Sequence, residues 1–328
     1  MRMRLLTVAI FMTLLPAAFA QIPGKPPACD RACLEKYVDL YLDAMLAHKV
    51  SPELFARDCK FTENGVQLPL GKEGLWYGMS GKGTYKFYVP DVETQQVAFI
   101  GTVREGGRAP AAKAAGPGTA AKAPEPTIVA LALRLKIVNG LITEAEQLAI
   151  RPDTNAMGAT TASKFPPTGE AVEKMGAPHE IFTQVIPESQ RASREDLVRD
   201  GNYYFTGLQR NDTKGYYNFT DDCVRFENGM LSTKECKKQF ESGQLRNIVS
   251  RIRDRRFVAV DRERGIAFAF GFFDHDQINW TWQLAELFKI ENGLIRRVEA
   301  VFHRAPYGTP SGWSTFEQAM SESIQSVR

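Results

Sequence analysis

Helix-like and strand-like patterns follow each other in the same order in two parts of the chain. Residues 33–48 and 193–209 carry apolar side chains at the spacing of one helix face, and Ser193 is the predicted N-cap of the second segment. Long runs of apolar residues follow each helix, most clearly at 265–275 and 294–304. A helix, a hairpin and a meander of curved antiparallel strands predict an α+β fold in each part.

Two short signatures recur in the same order, which indicates an internal duplication. The sequence DCKFTENG, from Asp58, returns as DCVRFENG from Asp222, and KIVNGLI, from Lys136, returns as KIENGLI from Lys289. Each signature contains an Asn-Gly pair, which favours a tight type I′ hairpin turn. We therefore predict two tandem copies of one domain with a hydrophobic interface between them.

Changes in composition divide the chain into segments. Residues 1–20 combine two arginines, a short apolar run and a terminal Ala-Phe-Ala, the pattern of a secretory signal peptide. Residues 104–127 are rich in Ala, Gly, Pro and Lys, which predicts a disordered loop because almost nothing there can be buried. The predicted organisation is a signal peptide (1–20), a first domain (29–151), a linker (152–192), a second domain (193–313) and a C-terminal tail (314–328).

Composition and charge narrow the class of protein. The chain has 328 residues, of which 44% are hydrophobic and 24% charged, so it is globular and long enough for two domains. The formal net charge of +3 gives no reason to expect nucleic acid or an anionic membrane as a partner. The signal peptide predicts a secreted or periplasmic protein without a further membrane segment.

The five cysteines fit an oxidising compartment. Cys223 and Cys236 lie around one hairpin and are the first predicted disulfide, and Cys29 with Cys33 is the second. Cys59 is then left over, because the number is odd. Nothing near Cys59 marks it as an activated thiolate, and no His lies near a Cys pair, so neither a catalytic cysteine nor a zinc site is predicted.

The two copies resemble a known fold family. The stretches that carry the resemblance are FTENGVQLPLGKEGLW (61–76), RIRDRRFVAVDRERGIAFAFGFFDH (251–275) and AELFKIENGLIRRVEAVFHRAPYGTPSGW (285–313). They are similar to the nuclear-transport-factor-2-like, or SnoaL-like, cone, and more narrowly to secreted fungal and bacterial proteins with a domain of unknown function. The resemblance implies two tandem cone-shaped domains, each a curved antiparallel sheet wrapped around helices, with a pocket at the open end.

Residues that the two copies do not share are the better candidates for function. Asp274 and His275 end a long apolar strand, and His303 lies late on the last strand on the same face as Glu299. A histidine with nearby carboxylates is a typical acid/base arrangement, so His275, His303, Glu299 and Asp274 are the catalytic candidates, although Glu299 recurs as Glu146 in copy one and Asp274 and His275 point to opposite faces of the strand. The alternatives are a strand that runs into a polar loop, a core histidine and a structural ion pair.

A second set is predicted to bind a substrate. Strand alternation places Arg251, Arg253 and Arg255 on one face, where three guanidinium groups would hold an anionic group, although a solvated strand edge is the alternative. Copy one has aromatic residues that would stack on a flat ligand or pack against the other domain. Glu227 is either a carboxylate at the pocket mouth or a partner of a turn amide or of a neighbouring arginine. The aromatic candidates are Trp76, Tyr77 and Tyr88.

The sequence is compatible with two functions. The first is an exported lyase or isomerase, dehydratase-like, that performs acid/base chemistry without a metal or organic cofactor on an anionic or aromatic organic substrate. The second is a non-catalytic module that captures a small ligand or a partner protein. Both fit a monomeric pseudo-dimer or a homodimer. The segment YGTPSGW after the last strand is expected to fold back as a lid or as a clasp onto copy one.

Overall fold

The computed structural model describes residues 28–106, 125–152 and 166–325. The predicted signal peptide, most of the predicted disordered loop and part of the predicted linker therefore lie outside the described residues. No helix in the described ranges is long and apolar enough to cross a membrane. Two sheet-dominated domains of six strands each follow one another along the chain.

Domain one (28–152) begins with a long helix, α1, that Asp30 caps by accepting a hydrogen bond from the Cys33 amide. Its sheet has the strand order β2-β1-β6-β5-β4-β3. The elements are α1 (Arg31–Leu46), β1 (Phe55–Glu63), β2 (Val66–Gln67), α2 (Leu75–Gly78), β3 (Met79–Asp91), β4 (Gln96–Glu105), β5 (Thr127–Val138) and β6 (Leu141–Ile150).

Domain two (193–313) repeats this plan, and Ser193 caps its long helix as predicted. The strand order, β8-β7-β12-β11-β10-β9, is that of domain one. The elements are α4 (Arg194–Arg210), β7 (Phe219–Glu227), β8 (Met230–Thr233), α5 (Cys236–Glu241), β9 (Arg251–Asp261), β10 (Ile266–His275), β11 (Trp280–Glu291) and β12 (Leu294–Pro306), and a short helix, α6 (Phe316–Met320), follows in the tail.

One strand pairing in each sheet differs from the antiparallel expectation. β1 pairs with β6 in parallel, and β7 pairs with β12 in parallel, whereas the other neighbours are antiparallel. The first strand of each copy and the last are separated by the rest of the domain, so no tight turn forces them to run in opposite directions. The parallel register is the same in both copies: Glu63 lies beside Gln147, and Glu227 lies beside Ala300.

Each sheet is buried on both faces. One face packs on the long helix of its own domain, and the other packs on the sheet of the other domain through side chains such as Phe87, Ile100, Phe268 and Phe270. This double burial explains why the central strands read as nearly continuous apolar runs and not as clean alternation. The hydrophobic interface expected between the copies is therefore the middle layer of the protein.

Buried ion pairs cross the same interface. The Arg256 guanidinium on β9 donates two hydrogen bonds of 2.8 and 2.7 Å to the Glu146 carboxylate on β6, and both residues are buried. Arg194 at the start of α4 pairs with Asp91, whose carboxylate also accepts from the Val260 amide at 2.9 Å. Paired charges can be buried because each satisfies the other, so these contacts fix how the domains meet.

The described end of the predicted linker is folded. Residues 166–192 contain the helix α3 (Thr168–Lys174) and two short 3₁₀ turns (Glu180–Phe182 and Glu188–Gln190). Glu173 of α3 accepts two hydrogen bonds of 2.7 and 2.8 Å from Arg104, while Val172 and Phe182 are buried in the middle layer. This segment is thus part of the interdomain core and does not merely drape over the surface.

The segment after β12 is a clasp on domain one. The Trp313 indole nitrogen donates to the Thr62 hydroxyl at 2.8 Å, and the ring lies under the Arg134 guanidinium at 4.4 Å and the Lys60 ammonium at 4.2 Å. Farther on, Ile324 forms a parallel bridge with Arg255 of the edge strand β9. The tail therefore covers an open sheet edge and ties domain two to domain one.

Both predicted disulfides, Cys29–Cys33 and Cys223–Cys236, are present. The second joins β7 to the start of α5 in domain two. Cys59 is a free thiol, and burial raises its pKa to about 12. A thiol with so high a pKa stays protonated at neutral pH, which agrees with the expectation that it is not an activated thiolate.

Removing the Cys223–Cys236 bridge with a double alanine variant is expected to lower the free energy of unfolding by about 3 kcal/mol, because it closes a loop of 13 residues. The matched Cys29→Ala/Cys33→Ala variant frees a separation of only 4 residues and should cost less, about 2 kcal/mol. Urea unfolding under non-reducing conditions measures both values. A larger loss for the Cys29–Cys33 variant would contradict the loop-length argument.

Candidate functional site

A cavity of about 80 Å³ lies inside domain two, between α4, the loop after α5 and the inner face of the sheet. Its wall is mostly apolar. Three charged residues interrupt that wall: Arg225 and Glu227 from β7, and Glu286 from β11. The apolar wall includes Leu208, Leu245, Phe273, Trp282, Leu284 and Phe302.

The local sequence explains why the charged side chains meet. Arg225 and Glu227 are two residues apart on one strand, so they point to the same face, and the Arg225 Nε atom lies 3.1 Å from Glu227 Oε1. Arg225 Nη2 also donates to the Ser232 hydroxyl at 3.1 Å on β8. Glu286 reaches the same place from the antiparallel neighbour of β12, where it pairs with Ala300.

The pKa of Glu286 lies well above the ordinary value of a glutamate. It is only 2% exposed, and its Oε2 atom has no hydrogen-bond partner among the described residues. Burial raises its pKa to about 8, and repulsion by Glu227 adds to that shift, while Arg225 and the Tyr204 hydroxyl act in the opposite direction. The carboxyl is therefore mostly protonated at neutral pH. Glu227 has 37% of its side chain exposed and pairs with the Arg225 guanidinium.

The equivalent space in domain one is filled. The register places Phe61 where domain two has Arg225, and Gln147 pairs with Leu133 as Ala300 pairs with Glu286. Trp76, which is fully buried, packs edge-on against Tyr41 with ring centroids 5.4 Å apart. At these three equivalent positions domain one has Phe61, Leu133 and Gln147. Domain two has Arg225, Glu286 and Ala300, so it has two charged residues and one small side chain there.

The duplication corresponds to two copies of one known domain family. The model of a domain of unknown function, DUF8021, matches the chain twice, at residues 28–149 and 190–302. The chain belongs to the DUF8021 family. The two matches cover the two sheets described above, so each DUF8021 unit corresponds to one six-stranded domain.

Solved structures give weak similarities. A de novo designed protein with a curved β-sheet matches at 14% identity and a TM-score of 0.26, over 34% of this chain and 88% of that protein. An LEH-like epoxide hydrolase of M. tuberculosis matches at 14% identity and a TM-score of 0.27, over 33% of this chain and 84% of that protein. Among curated proteins, none matches this DUF8021 chain.

Of the candidates from sequence, only Glu227 lines the domain-two cavity. His275 borders it: its ring stacks on Trp280 at 4.2 Å and meets the edge of Trp282, a cavity residue, at 4.5 Å. Neither ring nitrogen of His275 has a hydrogen-bond partner within the described part of the chain, and burial lowers its pKa. His275 therefore stands behind the cavity wall and does not face the cavity.

The other acid/base candidates point away from the cavity. His303 Nε2 lies 3.1 Å from Gln283 Oε1, and burial lowers the His303 pKa to about 4. Glu299 shares its face, as predicted, but that face is the interdomain one, where Glu299 accepts a 2.6 Å hydrogen bond from Arg297. Asp274 is fully buried and paired with arginines, so it does not orient His275.

The arginine row is divided by a bulge in β9. Asp254 has a φ of +49°, and the register with β10 shifts at this point, so strict alternation fails. Arg251 and Arg253 share a face and bind Asp274 at 2.6 and 2.9 Å, respectively. Arg255 turns to α4 and donates to Gln209 at 2.9 Å. The three guanidinium groups thus have protein partners and do not form one anion site.

The aromatic candidates of domain one do not form a platform. Trp76 is a core residue, whereas Tyr77 is 74% exposed. Tyr88 packs on Phe99 with ring centroids 5.2 Å apart, and its hydroxyl donates to Asp39 at 3.0 Å. The three side chains are therefore held in three different environments.

Sequence reasoning missed Arg225, Glu286 and Tyr204, although a signal existed. Comparing the copies by register pairs Arg225 with Phe61 and Glu286 with Leu133, two positions where one copy is charged and the other apolar. A charge at an inward-facing strand position is costly unless it is used or paired. In the described ranges, no group of three or more His, Cys, Asp or Glu side chains is arranged to hold a metal ion.

Proposed function

We propose that domain two is an acid/base catalyst of the lyase or isomerase type that acts on a small neutral organic compound without a cofactor. The observation that supports it is the pairing of two carboxyl groups in one apolar cavity, Glu227 partly exposed beside Arg225 and Glu286 buried behind it. Two carboxyl groups in different environments are suited to opposite roles, one as a base and one as an acid.

The proposed roles follow from the environments. Glu227 reaches solvent beside the Arg225 guanidinium, so it is the general base that removes a proton from carbon. Glu286 carries its proton at neutral pH, so it is the general acid that protonates the oxygen of the substrate or of a leaving hydroxyl. After the reaction Glu227 holds a proton and Glu286 is charged, and exchange with solvent restores both. Arg225 pairs with Glu227 and its charge also acts on Glu286, so it stabilises whichever carboxylate is charged.

The location of the protein is part of the proposal. The predicted signal peptide and the two disulfides fit an exported protein, because such bonds persist in oxidising compartments. The cavity itself changes the substrate expected from the sequence. The arginine row lies outside the cavity, and Arg225 and Glu227 have opposite charges, so a neutral substrate is favoured over an anionic one.

Hydrogen–deuterium exchange tests the proposed base even while the natural substrate is unidentified. The full chain is incubated in D₂O with a panel of small neutral ketones and 3-hydroxy ketones, and proton NMR follows exchange beside the carbonyl group. Glu227→Gln is expected to slow enzyme-dependent exchange by about 100-fold, because the amide cannot accept the proton.

Glu235→Gln is the matched control, since Glu235 is exposed and, within the described ranges, its carboxylate pairs with Lys238 alone. Its exchange rate should equal that of the natural protein. Equal exchange by the natural protein and by Glu227→Gln across the whole panel would contradict the proposal. A compound that binds the cavity and neither exchanges nor reacts would favour the alternative, a non-catalytic binding module.

A further inference from the structure

The side chain of Gln147 in domain one takes the space that is the cavity in domain two. Both sheets have the same register at this point: Glu63 and Leu133 flank Gln147, and Glu227 and Glu286 flank Ala300. An alanine at position 300 ends at Cβ, so the atoms that follow Cβ in Gln147 have no counterpart in domain two. Those atoms are one CH₂ and one carboxamide.

The carboxamide of Gln147 is held at both ends. Its oxygen accepts a 2.9 Å hydrogen bond from the Tyr41 hydroxyl, and its nitrogen donates a 2.8 Å hydrogen bond to the Glu63 carboxylate. The direction of these bonds is fixed, because Tyr41 accepts from the Trp76 indole at 3.0 Å and so has its own proton free to donate. Domain one thus binds an amide group that belongs to its own chain.

The cavity of domain two offers the same kinds of partner to a group from outside. Glu227 is the copy of Glu63 and is an acceptor. The Nη1 atom of Arg225, which lies next to Glu227 on β7, and the Oε2 atom of Glu286 on β11 are buried and have no hydrogen-bond partner within the described ranges, while Arg225 Nε pairs with Glu227 at 3.1 Å. Tyr204, the copy of Tyr41 on the long helix, lies behind Glu286 and interacts with it. Donors and an acceptor therefore surround the vacant position beside Ala300.

We propose that the domain-two cavity binds a ligand that carries a carboxamide, placed as the Gln147 side chain is placed in domain one. The ligand carbonyl accepts from Arg225 and from protonated Glu286, and the ligand N–H donates to Glu227. This inference rests on the proposed function for its site and adds the chemical class of the ligand. A buried donor or acceptor without a partner is costly, so a ligand that satisfies all three groups gains selectivity over one that does not.

Size and charge agree with an amide. The cavity of about 80 Å³ has room for two or three water molecules at roughly 30 Å³ each, which suits a carboxamide with a short carbon attachment. The charges of Arg225 and Glu227 cancel, and Glu286 is neutral at pH 7, so a neutral polar group fits better than a carboxylate. A carboxylate would also lack the N–H that Glu227 can accept from.

Acetamide is the test ligand, because its four heavy atoms are those that Gln147 has and Ala300 lacks. Ligand-observed NMR on the full chain at pH 7 compares acetamide with acetone, which has no N–H, and with acetate, which is charged. Acetamide is expected to bind in the millimolar range, which a ligand of four heavy atoms can reach when its polar groups are satisfied. Acetone and acetate are expected to bind at least tenfold more weakly. Equal binding of the three compounds would overturn the proposal.

Two variants complete the test. Ala300→Gln should place an amide of the chain itself in the cavity and weaken acetamide binding at least tenfold, while unfolding remains cooperative. Gln147→Ala in domain one should lose thermal stability and regain part of it in acetamide, but not in acetone, as a second amide site opens. Unchanged acetamide binding by Ala300→Gln would overturn the proposal even if the Gln147→Ala protein does not fold.

The ligand class and the proposed catalysis fail in different ways. Suppose that acetamide binds the natural protein but not Ala300→Gln, and that Glu227→Gln leaves the exchange rate unchanged. The carboxamide site is then supported and the proposed acid/base function is wrong. If Glu227→Gln abolishes exchange of a ketone but acetamide binds no better than acetone, the acid/base function stands and the carboxamide class is wrong.

Discussion

Between pH 5 and pH 9 the free energy of unfolding of the natural protein is expected to fall by about 4 kcal/mol because of Glu286, and the Glu286→Gln variant is expected not to show this fall. In the folded protein this carboxyl keeps its proton up to a pKa of about 8, whereas the ordinary value is 4.5. Between these two values the folded state binds more protons than the unfolded state, so stability falls as pH rises. At about 1.4 kcal/mol for each unit of pKa difference, the fall across this pH range is about 4 kcal/mol.

Urea unfolding at pH 5, 7 and 9 measures this effect as a difference between the two proteins. Glutamine has the shape of the protonated acid and does not titrate, so the Glu286→Gln variant should be the more stable protein at pH 9. Glu299, whose pKa burial also raises, contributes equally to both proteins and cancels. Glu235→Gln is the control and should follow the natural protein. If the free energy of unfolding changed with pH in the same way in the natural protein and in Glu286→Gln, Glu286 would be ionised in the folded protein.

The second large effect is expected at Glu146, the carboxylate that Arg256 binds across the domain interface. Glu146→Gln should lower the free energy of unfolding by about 3 kcal/mol, because it leaves buried guanidinium groups without their anion. Removing one partner of a buried pair commonly costs about 3–5 kcal/mol, and the lower end applies because Arg256 keeps Asp254 at 3.2 Å and Arg134 keeps Glu144 at 2.7 Å.

A second substitution distinguishes a lost attraction from an unpaired charge. Arg256→Met in the Glu146→Gln background should restore part of the stability, because the uncompensated charge is then gone. Asp221→Asn is the control, since Asp221 and Lys237 form an exposed pair, and it should leave the unfolding midpoint nearly unchanged. Thermal unfolding monitored by circular dichroism measures all three variants. A Glu146→Gln protein as stable as the natural one would mean that the pair sets domain orientation without stabilising the fold.

The duplicated sheets were predictable from sequence, because the Asn-Gly turns and the repeated signatures are local. Asn64, Asn139, Asn228 and Asn292 all have a positive φ, as the predicted turns require. The parallel pairing of β1 with β6 was not predictable, because it joins strands that are far apart along the chain. The finer SnoaL-like assignment stays a prediction.

The candidate site was harder to predict than the fold. Arg251, Arg253 and Arg255 form a regular row in the sequence, but one residue in the left-handed region, Asp254, divides the row. Glu286 stands in an apolar run, TWQLAELFKI, where alternation places it on the face of Leu284 and Phe288 but does not show which residues lie opposite that face. Only the register of the folded sheets shows that Glu286 shares a cavity with Arg225 and Glu227.

The tail that holds Trp313 against domain one has a consequence for how the chain matures during synthesis. Ribosomes make proteins from the N-terminus, so domain one emerges first. Thr62 and Arg134, which Trp313 contacts in the folded protein, stay uncovered until that much later residue has been synthesised. The face of domain one that packs on domain two waits as well. Until domain two is made, this face of domain one is an exposed apolar surface. The nascent chain is therefore most prone to aggregate after domain one has been synthesised and before domain two has folded onto it.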